Sequence, residues 1–200
     1  MPTVLLATRN AGKLREIERL LPAATIEWRT LAEFPGVPDA PEHGETFAEN
    51  ARDKALYYAA ATGLLTLADD SGLAVDALGG APGVQSARYG GVPRSDARNN
   101  LKLIEALRDV AEPDRTARFH CAIALAERGR VLAESRGAVE GVITDEPRGE
   151  NGFGYDPHFL IPQMRKTMAQ LPADEKGVLS HRGVALRAIL PELLACLASA

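Results

Sequence analysis

Apolar and polar residues follow one another along this chain with several different periods, and each change of period marks a new element. Residues 3–7, TVLLA, are an unbroken apolar run of strand length, which predicts a buried strand. Beyond Thr8-Arg9-Asn10-Ala11-Gly12-Lys13 the period becomes helical. Leu14, Ile17 and Leu21 share one face, Arg15, Glu16, Glu18 and Arg19 lie elsewhere, and Pro22 stops the run. Residues 25–31, TIEWRTL, predict another strand, and 33–45 form a loop rich in proline, glycine and acid. Thr46 and Glu49 have capping-box spacing and open a helix that runs to Thr62. Its small residues Ala48, Ala51, Ala55 and Ala59 predict close packing, while Asn50 and Lys54 share a face one turn apart.

A second apolar run, Leu64 to Ala68, predicts a buried strand that ends in Asp69-Asp70-Ser71-Gly72; Gly79, Gly80, Gly83, Gly90 and Gly91 follow. Ser95 or Asp96 caps a helix with Leu101, Ile104 and Leu107 on its core side, which reads as scaffold. Residues 116–126 alternate cleanly: Ala117, Phe119, Cys121, Ile123 and Leu125 on one face, Arg118 and His120 on the other. His120 is therefore expected on the sheet surface and not as a ligand. Glu127 to Arg130 read as a hairpin turn into a strand over residues 130–140, antiparallel to the first, so the sheet is mixed. A short strand, His158 to Ile161, follows. Ser180 caps a last apolar helix (Val184, Leu186, Ile189, Leu190), which Pro191 is expected to kink or break.

Two hundred residues suit one domain, or two lobes sharing a core, and 46% hydrophobic with 25% charged residues is ordinary for a globular chain. The net charge of −4 gives no field that attracts nucleic acid, so an anionic substrate must meet a local basic cluster or a metal ion. The two cysteines, Cys121 and Cys196, show no C-x-x-C or zinc spacing, which fits a reducing compartment. The apolar run in MPTVLLATRN is too short for a signal peptide, and no segment has the length of a membrane span. A cytoplasmic protein without membrane or nucleic-acid partners is expected.

The candidate chemistry centres on residues 64–91. Two carboxylates and a hydroxyl close a buried strand where α/β sheets place their ligands. Neighbouring strand residues point to opposite faces, so Asp69 and Asp70 predict different tasks unless the strand has already broken. For Asp-Asp-Ser-Gly alone, an acidic capping turn is the commoner explanation. Upstream, strand, Thr8–Lys13 loop and helix N-terminus make an anion site, balanced against a plain helix cap. The loop fails as a Walker A motif at Ala7 and Leu14. The acidic loop delivers Glu42 and Glu45 just before a capped helix, and Lys54 by pattern alone is a surface lysine. Gly149 to Pro157 set glycine-flanked aromatics in a loop, to lie against a flat ligand or to supply one buried anchor. His181 and Arg182 fall in a first helical turn, where the dipole disfavours cations, so they call for an anion or acceptor.

Taken together, these stretches resemble the inosine triphosphate pyrophosphatases, which remove non-standard purine triphosphates such as ITP, dITP and XTP. The matching segments are Thr8–Lys13, Thr46–Ala51, Ala68–Leu73, Gly80–Val84, Ser86–Tyr89, Gly152–Pro157 and Ser180–Gly183, in the family's order along nearly the whole chain. The resemblance implies an α/β fold, a long mixed β-sheet with flanking helices in one domain over 1–200, its two lobes around a central nucleotide cleft, and a homodimer. It implies Mg²⁺-dependent hydrolysis between the α and β phosphates. Thr8, Arg9, Asn10, Ala11, Gly12 and Lys13 match the triphosphate loop, with Lys54 and Ser71 as further phosphate or ribose contacts. Asp70 matches the catalytic acid. Glu42 and Asp70 are the expected metal ligands, with Asp69 and Glu45 as further candidates. Phe153, Gly154, Tyr155, Asp156, Lys176, His181 and Arg182 match the base-recognition set. Arg9 departs from the glycine that many members carry.

Lys176 and Arg182 only donate hydrogen bonds, which suits the 6-oxo acceptor of hypoxanthine and xanthine and opposes the 6-amino donor of adenine. Two other readings compete: a P-loop-like NTPase or kinase releasing γ-phosphate, and a nucleotide-binding module without turnover. Leu14 and Ala7 count against the first, and Asp69, Asp70 and an upstream carboxylate against the second.

Overall fold

The computed structural model describes residues 1–20 and 26–198; Leu21, Pro22 and Thr25, read above as helix face, helix stop and strand start, lie outside them. The strands are β1 (Thr3–Leu6), β2 (Glu27–Thr30), β3 (Leu65–Val75), β4 (Thr116–Glu127), β5 (Arg130–Ile143), β6 (Phe159–Ile161) and β7 (Lys166–Thr167). The helices are α1 (Ala11–Leu20), α2 (Phe47–Thr62), α3 (Asp96–Ala106), α4 (Ala173–Leu179) and α5 (His181–Ala198). One seven-stranded sheet has the order β2-β1-β3-β4-β5-β6-β7. β1 pairs in parallel with β2 and β3, while β5–β6 and β6–β7 are antiparallel, so the sheet is mixed.

The chain divides into two compact units. The first comprises Met1–Asp70, Cys121–Gly137 and His181–Ala200. Here both sheet faces are covered, and strand alternation sorts the residues. Val4, Leu6, Leu65, Leu67, Cys121, Ile123 and Leu125 pack with Ile17 of α1 and Leu186, Ile189 and Leu193 of α5. Leu5, Ala7, Ala68, Ala122, Ala124 and Ala126 pack with Ala51, Ala55 and Ala59 of α2. Alanine against alanine brings α2 close to the sheet, as its small residues predict. Thr46 Oγ1 accepts from Glu49 N–H, and the Glu49 carboxylate accepts from Thr46 N–H, so the capping box forms. Gly137 is a forced glycine: a Cβ there would strike His181 O and lie 2.7 Å from Ala185 N in the first turn of α5.

The second unit comprises Ser71–His120 and Ala138–Ser180. Its core gathers Leu73, Val75, Leu103, Leu107, Phe119, Ile143, Tyr155, Phe159 and Met168. Of the core side expected for α3, Leu107 is fully buried and Ile104 packs against this core, but Leu101 is 72% exposed and Leu103 is buried in its stead, because the inward face follows the four-residue step Asn99, Leu103, Leu107. Arg128 and Gly129 have φ of 50° and 77°, both left-handed, as a two-residue hairpin turn between β4 and β5 requires. His120 is half-buried on β4, and burial lowers its pKa, with Arg118 adding to the effect.

Two further expectations are corrected. β3 does not end at Asp69-Asp70-Ser71-Gly72 but runs through it to Val75, since its backbone pairing outweighs the local turn preference. Pro191 lies inside α5, so of the kink or break expected there the break does not occur; the buried ridge of Leu186, Ile189 and Leu193 holds the helix across the missing N–H.

Candidate active site

Because β3 is unbroken, its alternation carries Asp69 and Asp70 to opposite faces, and each finds its own cations. Asp69 follows Leu65 and Leu67 onto the side of α1 and α5. There its Oδ2 lies 2.9 Å from Lys13 Nζ and 3.5 Å from Arg182 Nε. Burial would raise its pKa, but Lys13 and then Arg182 overturn that and hold the carboxyl well below the usual range. Arg182 is itself 1% exposed and also donates through Nη1 to Glu16. Burial opposes its charge, but Asp69 and Glu16 prevail and raise its pKa, so it stays a cation. Burial and then Asp69 push the neighbouring Cys121 thiol up to about 12, so it is no nucleophile.

Asp70 faces α2. Asn50 Nδ2 donates to its Oδ2 at 3.2 Å and Lys54 Nζ to its Oδ1 at 3.0 Å. Lys54 Nζ also lies 3.2 Å from Glu42 Oε1, so one ammonium joins the two carboxylates. Lys54 is buried, contrary to its reading as a surface lysine. Burial works against its charge, but Asp70, Asp69 and Glu42 together raise its pKa. Asn50 is oriented by its other end: its Oδ1 accepts Gly44 N–H at 2.8 Å. A Cβ on Gly44 would lie 2.8 Å from that same oxygen, so only glycine allows the approach. Glu45 is exposed, and its N–H donates to Glu49.

The Thr8–Lys13 segment joins β1 to α1. Asn10 Oδ1 accepts Gly12 N–H at 2.9 Å and Lys13 N–H at 3.4 Å, and Thr8 Oγ1 accepts Asn10 N–H, so the helix start is internally capped. Arg9 turns away from this cap: Nε donates to Asp39 Oδ1 at 2.7 Å and Nη2 to Val37 O at 2.8 Å. It fastens the segment that leads to Glu42.

In the second unit, Asp156 Oδ2 accepts both Lys176 Nζ at 2.7 Å and Phe153 N–H at 2.8 Å. The Lys176 ammonium lies 5.3 Å from the centre of the Phe153 ring. Gly152 has φ +83°, and a Cβ there would meet Asp156 Oδ2 and lie 2.8 Å from Lys176 Nζ. Tyr155 is the buried anchor of this loop, its hydroxyl donating to Ser86 O at 2.7 Å. Ser71 is half-buried on β3 and His181 is buried at the start of α5.

The predicted residues thus form three groups: Lys13, Asp69 and Arg182; Glu42, Lys54 and Asp70; and Phe153, Asp156 and Lys176. Sequence reasoning missed Glu16 as partner of Arg182, and no local signal marks it. It also missed Asn50 as the group that orients Asp70, though the shared face of Asn50 and Lys54 was the clue.

Comparison with known proteins gives a consistent result. The family model described as the Ham1 family matches residues 4–192. The chain is 50% identical over 184 residues to a dITP/XTP pyrophosphatase of Desulforamulus reducens, covering 92% of each chain. It is 49% identical over 191 residues to one of an Exiguobacterium species, covering 96% of each. Among solved structures, a HAM1 protein from Coxiella burnetii superposes with a TM-score of 0.86 at 45% identity over the whole of both chains.

Proposed function

We infer what this chain does from the premise that it belongs to the Ham1 family. It is a nucleoside-triphosphate pyrophosphatase that hydrolyses the non-standard purine triphosphates ITP, dITP and XTP to the monophosphate and pyrophosphate. Such activity keeps deaminated purines out of DNA and RNA. The resemblance further supports a homodimer, and the cysteine usage supports work in the cytoplasm.

The observation that carries the residue assignment is the division of labour on β3. Asp70 is the catalytic carboxylate of this proposal. Asn50 and Lys54 fix both of its oxygens, so it is poised to accept a proton from the attacking water. Lys13 and the backbone of Thr8 to Lys13 meet the triphosphate, as a cation at a helix start suits an anion. Asp69 is a counter-ion for Lys13 and Arg182, which argues against its use as a metal ligand.

We propose Mg²⁺ as the metal, held by Glu42 and Asp70. The fit rests on two carboxylate oxygens that already converge on one cation, Lys54 Nζ. Mg²⁺ keeps several waters and takes one or two carboxylates, which these two residues supply. When bound, it would neutralise phosphate charge and make water a better nucleophile.

Lys176, oriented by Asp156 beside the Phe153 ring, supports recognition of a 6-oxo purine, since it only donates. A site built to bond one group rejects an analogue lacking it by about 10⁴-fold. Asp70→Asn tests the assignment: kcat for ITP should fall by about 10²–10⁴ while ITP binding, followed by calorimetry, persists. A variant that turns over at the wild-type rate would remove Asp70 from the chemistry.

A further inference from the structure

The N-terminal half of α3, read from sequence as scaffold, holds the backbone beside Phe153. Asp96 Oδ2 accepts Gly154 N–H at 2.8 Å, and Asn100 Nδ2 donates to Gly154 O at 3.0 Å. The two residues stand one helical turn apart on the same face, so both polar groups of a single residue are gripped by one rigid element. Gly154 has φ +63° and no side chain for a ligand to read, so the grip acts on position alone. Immediately before it, Phe153 N–H is held by the Asp156 oxygen that also takes Lys176. The Phe153 ring is therefore bracketed, by Asp156 through its own N–H and by α3 through the next peptide.

We propose that Asp96 and Asn100 are positioning residues for base selectivity: by fixing Gly154 they set the Phe153 ring against the Lys176 donor. The inference rests on the base-recognition reading given above. Neither residue touches the base, so their loss shows in KM and in choice of substrate, and the phosphate chemistry continues.

The test compares kcat and KM for ITP, XTP and ATP in Asp96→Ala, Asn100→Ala and Asp96→Asn, with Phe153→Ala and Lys176→Ala as controls. Each alanine variant should raise KM for ITP about tenfold, leave kcat within about twofold and shrink the ITP/ATP preference, as expected for one lost fixed hydrogen bond. Asp96→Asn keeps an acceptor for Gly154 N–H and should retain the preference. If Asn100→Ala does not fold by circular dichroism, Asp96→Ala and Asn100→Ser decide. An unchanged preference in the α3 variants, with a changed one in Phe153→Ala or Lys176→Ala, overturns this inference alone. An unchanged preference in all of them overturns the base-recognition reading and this inference with it.

Discussion

Replacing Asp69 by asparagine removes a buried charge that two cations share. Its side chain is 1% exposed, with Lys13 at 2.9 Å and Arg182 at 3.5 Å. Breaking a buried ion pair from one side costs about 3–5 kcal/mol, because the partner is left uncompensated. Arg182 keeps Glu16, and the Lys13 side chain, 13% exposed, has a way out to water. The low end, about 3 kcal/mol, therefore applies. For a chain of 200 residues, with about 2–4 °C per kcal/mol, the thermal midpoint at pH 7 should fall by about 6–12 °C. The pH dependence follows from the depressed carboxyl. Burial raises its pKa, but Lys13 and Arg182 lower it further, so the folded value lies below the unfolded one. The stabilisation is present above about pH 4 and is lost as pH falls through the folded value, so wild type and variant should converge in acid. Differential scanning calorimetry across pH measures both effects. Titration of Mg²⁺ against activity should give the same half-saturation in both proteins. An unchanged midpoint together with a raised Mg²⁺ requirement would refute the reasoning and make Asp69 a metal ligand.

Two more substitutions probe the second unit. Gly152→Ala places a methyl against Asp156 and Lys176 at φ +83°; it should cost about 1–3 kcal/mol in denaturant unfolding and raise KM for ITP. Leu103→Ala should cost about 2–5 kcal/mol, whereas Leu101→Ala, at a position 72% exposed, should stay within about 0.5 kcal/mol; equal losses would overturn the assigned phase of α3.

The alternation of a strand is local, so the opposite faces taken by Asp69 and Asp70 were legible from their adjacency alone. The length of the strand was not. Asp, Ser and Gly favour turns locally, and what keeps β3 extended is its place between β1 and β4 in the sheet, while the partners of its two carboxylates, Lys13, Asn50, Lys54 and Arg182, are all distant in sequence. Lys54 shows the same gap: a lysine on a helix reads as solvated until Glu42 and Asp70 are brought to it. Arg9 reads as a charge beside phosphate, and its partners, Asp39 and Val37, are likewise distant in sequence. On α3 the sequence marks Ile104 and Leu107 as inward correctly but takes Leu101 for Leu103, because these leucines offer two overlapping apolar stripes and only packing chooses between them. The loop at residues 149–157 left two options open, and Tyr155 took the buried one while Phe153 stayed half-buried.

The central claim, cleavage between the α and β phosphates of a 6-oxo purine triphosphate, is tested most directly by product analysis. The protein is incubated with ITP and Mg²⁺, with ATP and GTP in parallel, and the products are separated. IMP and pyrophosphate, formed fast from ITP and slowly from ATP and GTP, are the predicted result. IDP and orthophosphate, or equal rates with all three nucleotides, would contradict it.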